Sequence, residues 1–201
     1  MPKLNIAVLG STRGTDLQAI IDAIESGELD AEIAIVASDK KDAFILERAK
    51  KHGIETLFID YKKHPDRQGT ELEIAQKFRA KKTDLVLLIG FMKILSPYFV
   101  SEFAGRIWNI HPSLLPKYAG GMNMDVHEQV LKNGETESGC TLHEVAEEVD
   151  AGRIILQKNV RIAAGETPES LKEKVQRAEQ ECLLEAIKMV TGGKLVIGEQ
   201  K

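Results

Sequence analysis

In the run Trp108-Asn109-Ile110-His111-Pro112-Ser113-Leu114-Leu115-Pro116, an amide and an imidazole stand two residues apart. On an extended backbone such side chains project to the same side, so Asn109 and His111 can converge on one small ligand. Together they can stabilise the oxyanion formed when a nucleophile attacks a carbonyl. The alternative is an Asn and a His that finish a strand and satisfy loop backbone. Glu147-Glu148-Val149-Asp150-Ala151-Gly152 supplies carboxylates before a glycine turn. From there Asp150 could orient His111 and raise its pKa by favouring the imidazolium, although acidic stretches of this kind are usually solvated loops.

Gly10-Ser11-Thr12-Arg13-Gly14-Thr15-Asp16 lies between a strand-like and a helix-like segment. Backbone N–H groups and the positive helix end can cradle a phosphate there. The turn matches neither G-x-G-x-x-G nor the pattern ending in Gly-Lys-Ser/Thr, which argues against NAD and ATP. The plainer alternative is a tight turn with Thr15 or Asp16 as helix N-cap. Farther along, Lys172, Gln176 and Glu179 follow spacings of four and three, giving one polar helix face for a ligand or for solvent. His52, His64, His127 and His143 form no metal-ligand spacing, so no catalytic metal is expected. His127 and His143 read as structural or supporting residues. Cys140 and Cys182 are too few and too far apart for a zinc cluster or disulfide framework, and read as structural.

The elements that must position these groups follow from hydrophobic periodicity. Leu4–Leu9 is nearly all apolar, as in a parallel strand covered on both faces. Leu17, Ile20, Ile21 and Ile24 then repeat at helical spacing, with a stop at Ser26-Gly27. The alternation continues through a strand at Ile33–Ala37, a helix at Ala43–Lys51 and a strand at Thr56–Ile59. Next come a charged helix from Arg67 to Lys81, a buried strand Leu85–Ile89, a helix near Ser96–Phe103 and a strand Arg106–Ile110. This order predicts an α/β fold: a mostly parallel twisted sheet with helices on both faces. His111–Asn123 reads as a loop, followed by a helix at Val126–Lys132 and strands at Gly139–Val145 and Ile154–Ile162. A final helix starts after Thr167-Pro168 and buries Leu171, Val175, Ala178, Cys182 and Ala186 along one stripe.

Length and composition constrain the rest. The 201 residues suit one domain spanning 1–201, and 43% hydrophobic with 29% charged residues is ordinary for a globular chain. A net charge of −4 with no dense basic block argues against a nucleic-acid partner. Met1-Pro2-Lys3-Leu4 runs straight into a strand without a signal-peptide pattern, and no apolar run reaches membrane-spanning length. A cytoplasmic protein with no membrane partner is expected.

Asn109-Ile110-His111-Pro112-Ser113-Leu114-Leu115-Pro116-Lys117-Tyr118, Gly90-Phe91-Met92-Lys93-Ile94-Leu95-Ser96-Pro97 and Val149-Asp150-Ala151-Gly152 together resemble the phosphoribosylglycinamide formyltransferases. Thr15-Asp16-Leu17-Gln18-Ala19-Ile20-Ile21 and Ile154-Ile155-Leu156-Gln157 extend the resemblance over nearly the whole chain. The Asn-x-His pair with a distant Asp is shared by the wider folate-dependent formyltransferases, so it speaks to chemistry more than to substrate. The resemblance implies a Rossmann-like formyltransferase fold with an antiparallel C-terminal portion. It implies His111 as general acid and electrophile, Asn109 holding the formyl oxygen of the folate, and Asp150 tuning His111. It further implies that Gly14, Thr15 and Asp16 bind the phosphate of glycinamide ribonucleotide, that Glu179 reaches its ribose, and that Gln176 lies on the same side. Met92, Lys93, Ile94, Leu95 and Arg67 would contact the folate. The implied cosubstrate is 10-formyltetrahydrofolate and the implied acceptor glycinamide ribonucleotide; a monomer or homodimer is expected, the sequence leaving that choice open.

Several positions depart from the family's usual pattern. Asp16 stands where Asn is common, and its side chain is expected to turn away and cap the helix, with Arg13 partly offsetting its charge. Lys93 replaces an Arg, Arg153 replaces a Pro, and the loop Tyr118–Asp125 is longer than usual. The rival activities are hydrolysis, as in formyltetrahydrofolate deformylase, and binding of folate or nucleotide without turnover. Relatives that hydrolyse the folate or formylate tRNA usually carry a further domain, for which 201 residues leave little room.

Overall fold

The computed structural model describes residues 2–121 and 124–198. Met122 and Asn123, part of the expected long loop, lie outside the described residues. The elements run β1 (Leu4–Gly10), α1 (Thr15–Glu25), β2 (Ala31–Ser38), α2 (Phe44–Lys51), β3 (Thr56–Phe58), α3 (Arg67–Ala80) and β4 (Leu85–Ile89). They continue with α4 (Pro97–Glu102), β5 (Ile107–His111), α5 (Met124–Lys132), β6 (Glu137–Glu144), β7 (Ile154–Arg161) and α6 (Pro168–Thr191).

The strands form one seven-stranded sheet in the order β3-β2-β1-β4-β5-β6-β7. Pairing is parallel from β3 through β5 and antiparallel for β5–β6 and β6–β7. The expected α/β fold with an antiparallel C-terminal portion is therefore present. Strand order reverses between β1 and β4, and in open α/β sheets the crevice beyond the carboxyl ends of such strands is where ligands bind.

Two apolar layers clamp the sheet, because alternate residues of each strand face opposite sides. Ile6 and Val8 join α1, α2, α5 and α6 on one face, while Ala7 and Leu9 join α3 and α4 on the other. The second layer centres on Phe78, Phe99 and Phe103, whose ring centroids lie 5.1–6.1 Å apart. Helix α6 is set by a capping box between Thr167 and Ser170 with Pro168 in the first turn, and all five residues of its expected stripe are buried. Among the described residues no helix is long and apolar enough to cross a membrane.

The boundaries differ in one place that matters. β5 extends one residue past the expected strand Arg106–Ile110, to His111, because His111 pairs with Thr141 of β6. Both Asn109 and His111 are thus held by strand pairing.

Candidate active site

A cavity of about 720 Å³ opens beyond the carboxyl ends of β1, β4 and β5. Its walls come from the β1–α1 turn, the segment after β4, the end of β5, residues 145–150, and one face of α6. Asn109, His111 and Asp150 meet in the middle of it.

His111 is 3% exposed, with Nδ1 3.3 Å from Asp150 Oδ2 and Nε2 3.0 Å from the Tyr118 carbonyl. Asp150 adopts φ 55, and its Oδ2 accepts the Gly120 N–H at 2.8 Å. Burial pushes the Asp150 carboxyl up, but the His143 ring, the Gly120 N–H and the His111 ring outweigh it and leave the group below its ordinary value. Asp150 was expected to raise the His111 pKa. It does pull upward, yet burial of the imidazole is the larger effect and the net shift is downward.

His143 ties the cluster together. Its Nδ1 donates to the Glu144 carbonyl at 2.9 Å, and its Nε2 lies 3.2 Å from Asn109 Nδ2 and 3.4 Å from Asp150 Oδ1. Nε2 therefore faces both groups at once, able to accept one N–H of the Asn109 amide or to donate to the Asp150 carboxylate according to where the ring proton sits. The second N–H of that amide remains available to a carbonyl oxygen. Sequence reasoning gave His143 only a supporting role; the signal it lacked is the register that pairs His143 with Asn109.

The turn before α1 depends on Gly14, which has φ 68 and would place a Cβ 2.5 Å from Ile45 Cγ1. Gly14 is also the N-cap of α1, with no side-chain capping bond, which overturns both Thr15 and Asp16 as caps. Asp16 therefore does not turn outward. It is 7% exposed, beside Gln180 and Glu179, and its Oδ1 has no hydrogen-bond partner among the described residues. Burial pushes its pKa to about 6 against a counteracting Gln180 contact, and burial also raises Glu179, reinforced by Asp16. The physical reason lies in α6: Gln176 Nε2 donates to Thr15 Oγ1 at 2.5 Å, packing that helix against the turn and leaving Asp16 inside the junction. Thr15, Asp16, Gln176 and Glu179 line this end of the cavity.

At the opposite end Met92, Lys93, Ile94 and Leu95 line the wall, with Leu88, Val100, Val145 and Val149. Gly90, at φ 59, lets the chain pass Thr12, whose Oγ1 would sit 2.5 Å from an added Cβ. Glu71 anchors the segment: it is fully buried and accepts the Ser96 N–H at 2.8 Å and the Tyr61 hydroxyl at 3.3 Å. Nothing in the sequence of the charged helix Arg67–Lys81 singles it out. Lys93 approaches Asp39 at 3.7 Å and lies 5.1 Å over the Tyr61 ring. Arg67 bonds the Ile94 carbonyl from outside and does not itself line the cavity. Arg153 makes a forked contact to Glu144 at 2.5 and 3.1 Å, securing the end of β6.

The arrangement offers an amide N–H, an imidazole and a carboxylate at the centre of a two-ended cleft, one end polar and one largely apolar. That suits transfer of a small acyl group between two ligands. Comparison with known proteins agrees with this architecture. Residues 4–187 match the formyl transferase family. The phosphoribosylglycinamide formyltransferase of Escherichia coli is 41% identical over 98% of this chain and 91% of its own length. The trifunctional purine biosynthetic protein adenosine-3 of Bos taurus is 43% identical over 98% of this chain, which spans only 19% of that longer protein. Among solved structures, glycinamide ribonucleotide transformylase 1 of Symbiobacterium toebii superposes with a TM-score of 0.90 at 38% identity, covering 97% of this chain and 91% of that one. The phosphoribosylglycinamide formyltransferase of Coxiella burnetii gives 0.89 at 41% identity, covering 95% and 88%. The chain belongs to the formyl transferase family, among its phosphoribosylglycinamide formyltransferases.

Proposed function

We propose that the protein transfers the formyl group of 10-formyltetrahydrofolate to the amine of glycinamide ribonucleotide, with Asn109, His111 and Asp150 as the reacting centre. The observation that carries this reading is the single cavity joining that trio to the Gly14 turn on one side and to residues 92–95 on the other. The ribonucleotide phosphate rests on the turn, its ribose on the α6 face at Gln176 and Glu179, and the folate along residues 92–95.

The neutral amine attacks the formyl carbon, and the carbonyl electrons move to oxygen. The second N–H of Asn109 meets that charge by a hydrogen bond. The His111 ring, whose nitrogens face Asp150 and the Tyr118 carbonyl, meets it through the positive charge it takes up. Both are held before the reaction, so little reorganisation is needed. His111 faces acceptors at both nitrogens, Asp150 and the Tyr118 carbonyl, which together favour an imidazolium that burial opposes. Negative charge developing nearby tips this balance toward protonation. The amine's proton can thus pass to the His111–Asp150 pair and leave with the folate nitrogen as the tetrahedral adduct collapses. The C–N bond to the folate breaks, and the new amide retains the formyl carbon. No step requires a metal.

The decisive experiment incubates the protein with 10-formyltetrahydrofolate with and without glycinamide ribonucleotide and follows tetrahydrofolate. Product formed only with the ribonucleotide is expected. Product formed equally without it would make the protein a hydrolase, and no product in either case would reduce it to a binding protein.

A further inference from the structure

The ribonucleotide end of the cavity poses an electrostatic problem. A phosphate dianion is to bind at a turn whose second helical residue is a carboxyl group, Asp16, with a second carboxyl, Glu179, facing it from α6. Some cation must offset this, and among the described residues three Lys or Arg side chains line the cavity: Arg13, Lys93 and Lys172. Lys93 is engaged with Asp39 and the Tyr61 ring at the folate end. Arg13 belongs to the turn itself. Lys172 comes from the opposite wall, is exposed, and has no ion pair among the described residues.

The position of Lys172 is specific. It precedes Gln176 by one helical turn on the same face, and Gln176 touches Thr15 of the phosphate turn at 2.5 Å. Both residues line the cavity, about 6 Å apart along the helix axis. Lys172 sits in the second turn of α6, near the positive end of the helix, where a cation gains nothing from the helix dipole. Its field is felt across the cavity wall: it is among the causes that act on Glu179 and on His127, which lies on α5 opposite.

We propose that Lys172 is a further ribonucleotide-binding residue, whose ammonium neutralises the substrate phosphate from the α6 side while Arg13 does so from the turn. The groups around that phosphate are then Asp16 and the backbone of α1, Gln176 and Glu179 of α6, and His127 of α5. Burial keeps the His127 imidazole from charging, with its pKa lowered to about 4, so it does not share the task at neutral pH. This inference rests on the formyl-transfer reading only in naming the phosphate's owner.

The test compares the parent with Lys172→Gln and Lys172→Arg, using inorganic phosphate in calorimetric titrations and glycinamide ribonucleotide in steady-state kinetics. Lys172→Gln is expected to raise the ribonucleotide KM and the phosphate Kd about tenfold, the scale of one charge-assisted contact. The folate KM should stay within about twofold and the loss should shrink as salt is raised. Lys172→Arg should restore most of the affinity. Unchanged phosphate and ribonucleotide affinity in Lys172→Gln would show an ordinary solvated lysine and overturn the proposal. A parallel fall in folate affinity would overturn it too, by assigning Lys172 a structural role. If the parent binds phosphate through Lys172 but gives no ribonucleotide-dependent product, the reaction assignment fails while this site stands.

Discussion

The two working regions of the cavity are built on different terms. Around the reaction centre the polar groups already have partners within the protein: Asn109 with His143, His111 with Tyr118 and Asp150, Asp150 with Gly120. At the end of the cavity beside the Gly14 turn, Asp16 Oδ1 and His127 Nδ1 are buried without a hydrogen bond among the described residues. Leaving such an atom unpaired costs about 1–3 kcal/mol. The proposed reacting trio is thus fixed by strand pairing and loop contacts of the protein itself, whereas the proposed ribonucleotide end holds buried polar atoms that the described residues leave unpaired. Substitutions at the first region should act on turnover, and substitutions at the second on affinity.

The largest expected effect tests the first half of that contrast. His111→Ala removes an electrophile and leaves Asp150 on the Gly120 N–H, so kcat should fall about a hundredfold to a thousandfold with folate affinity little changed. Single-turnover rates and folate titrations separate the two quantities. Near-normal turnover would remove His111 from the mechanism. Asp150→Asn should cost less, about tenfold to a hundredfold, because the imidazole stays in place and only its tuning is lost. Its sign can be checked independently. The carboxylate pulls the His111 pKa up against burial, so the amide should let it fall further, and the limb of the pH–rate profile belonging to His111 should move to lower pH. A profile that keeps its shape and position would uncouple the two residues.

How much of this was readable in advance depended on whether the cause was local. β1 and β4 declare themselves through unbroken apolar runs, and the α6 stripe through its period, because burial on two faces or on one face leaves a pattern within a few residues. Asn109 and His111 could be paired from their spacing alone. His143 could not be added, since its place beside Asn109 is set by antiparallel register between β5 and β6. Asp16 was misjudged for a similar reason: whether it caps α1 or turns inward is decided by Gly14 and by α6, whose Gln176 meets Thr15 across 161 positions of sequence. The anchoring role of Glu71 has no local signature, because its partners, Ser96 and Tyr61, come from outside α3.

Asp16 also gives the smallest effect and the sharpest test of the binding end. Its pKa is raised from 3.8 to about 6, so the folded state resists ionising a group that the unfolded chain ionises freely. Below pH 4 the carboxyl is protonated in both states and the penalty vanishes. As pH rises through 6 the penalty reaches its full size, at most roughly 2–3 kcal/mol. Asp16→Asn preserves shape and removes the charge, so urea unfolding should find it more stable than the parent at pH 8, with the gain shrinking toward zero near pH 4. Glu179 then loses one of the neighbours that raise its pKa, and the ribonucleotide phosphate loses a repulsive charge. Affinity for glycinamide ribonucleotide at pH 8 should therefore rise several-fold while kcat holds. Equal stability gains at both pH values, or affinity unchanged or weaker, would mean that the buried carboxyl is not in conflict with its surroundings.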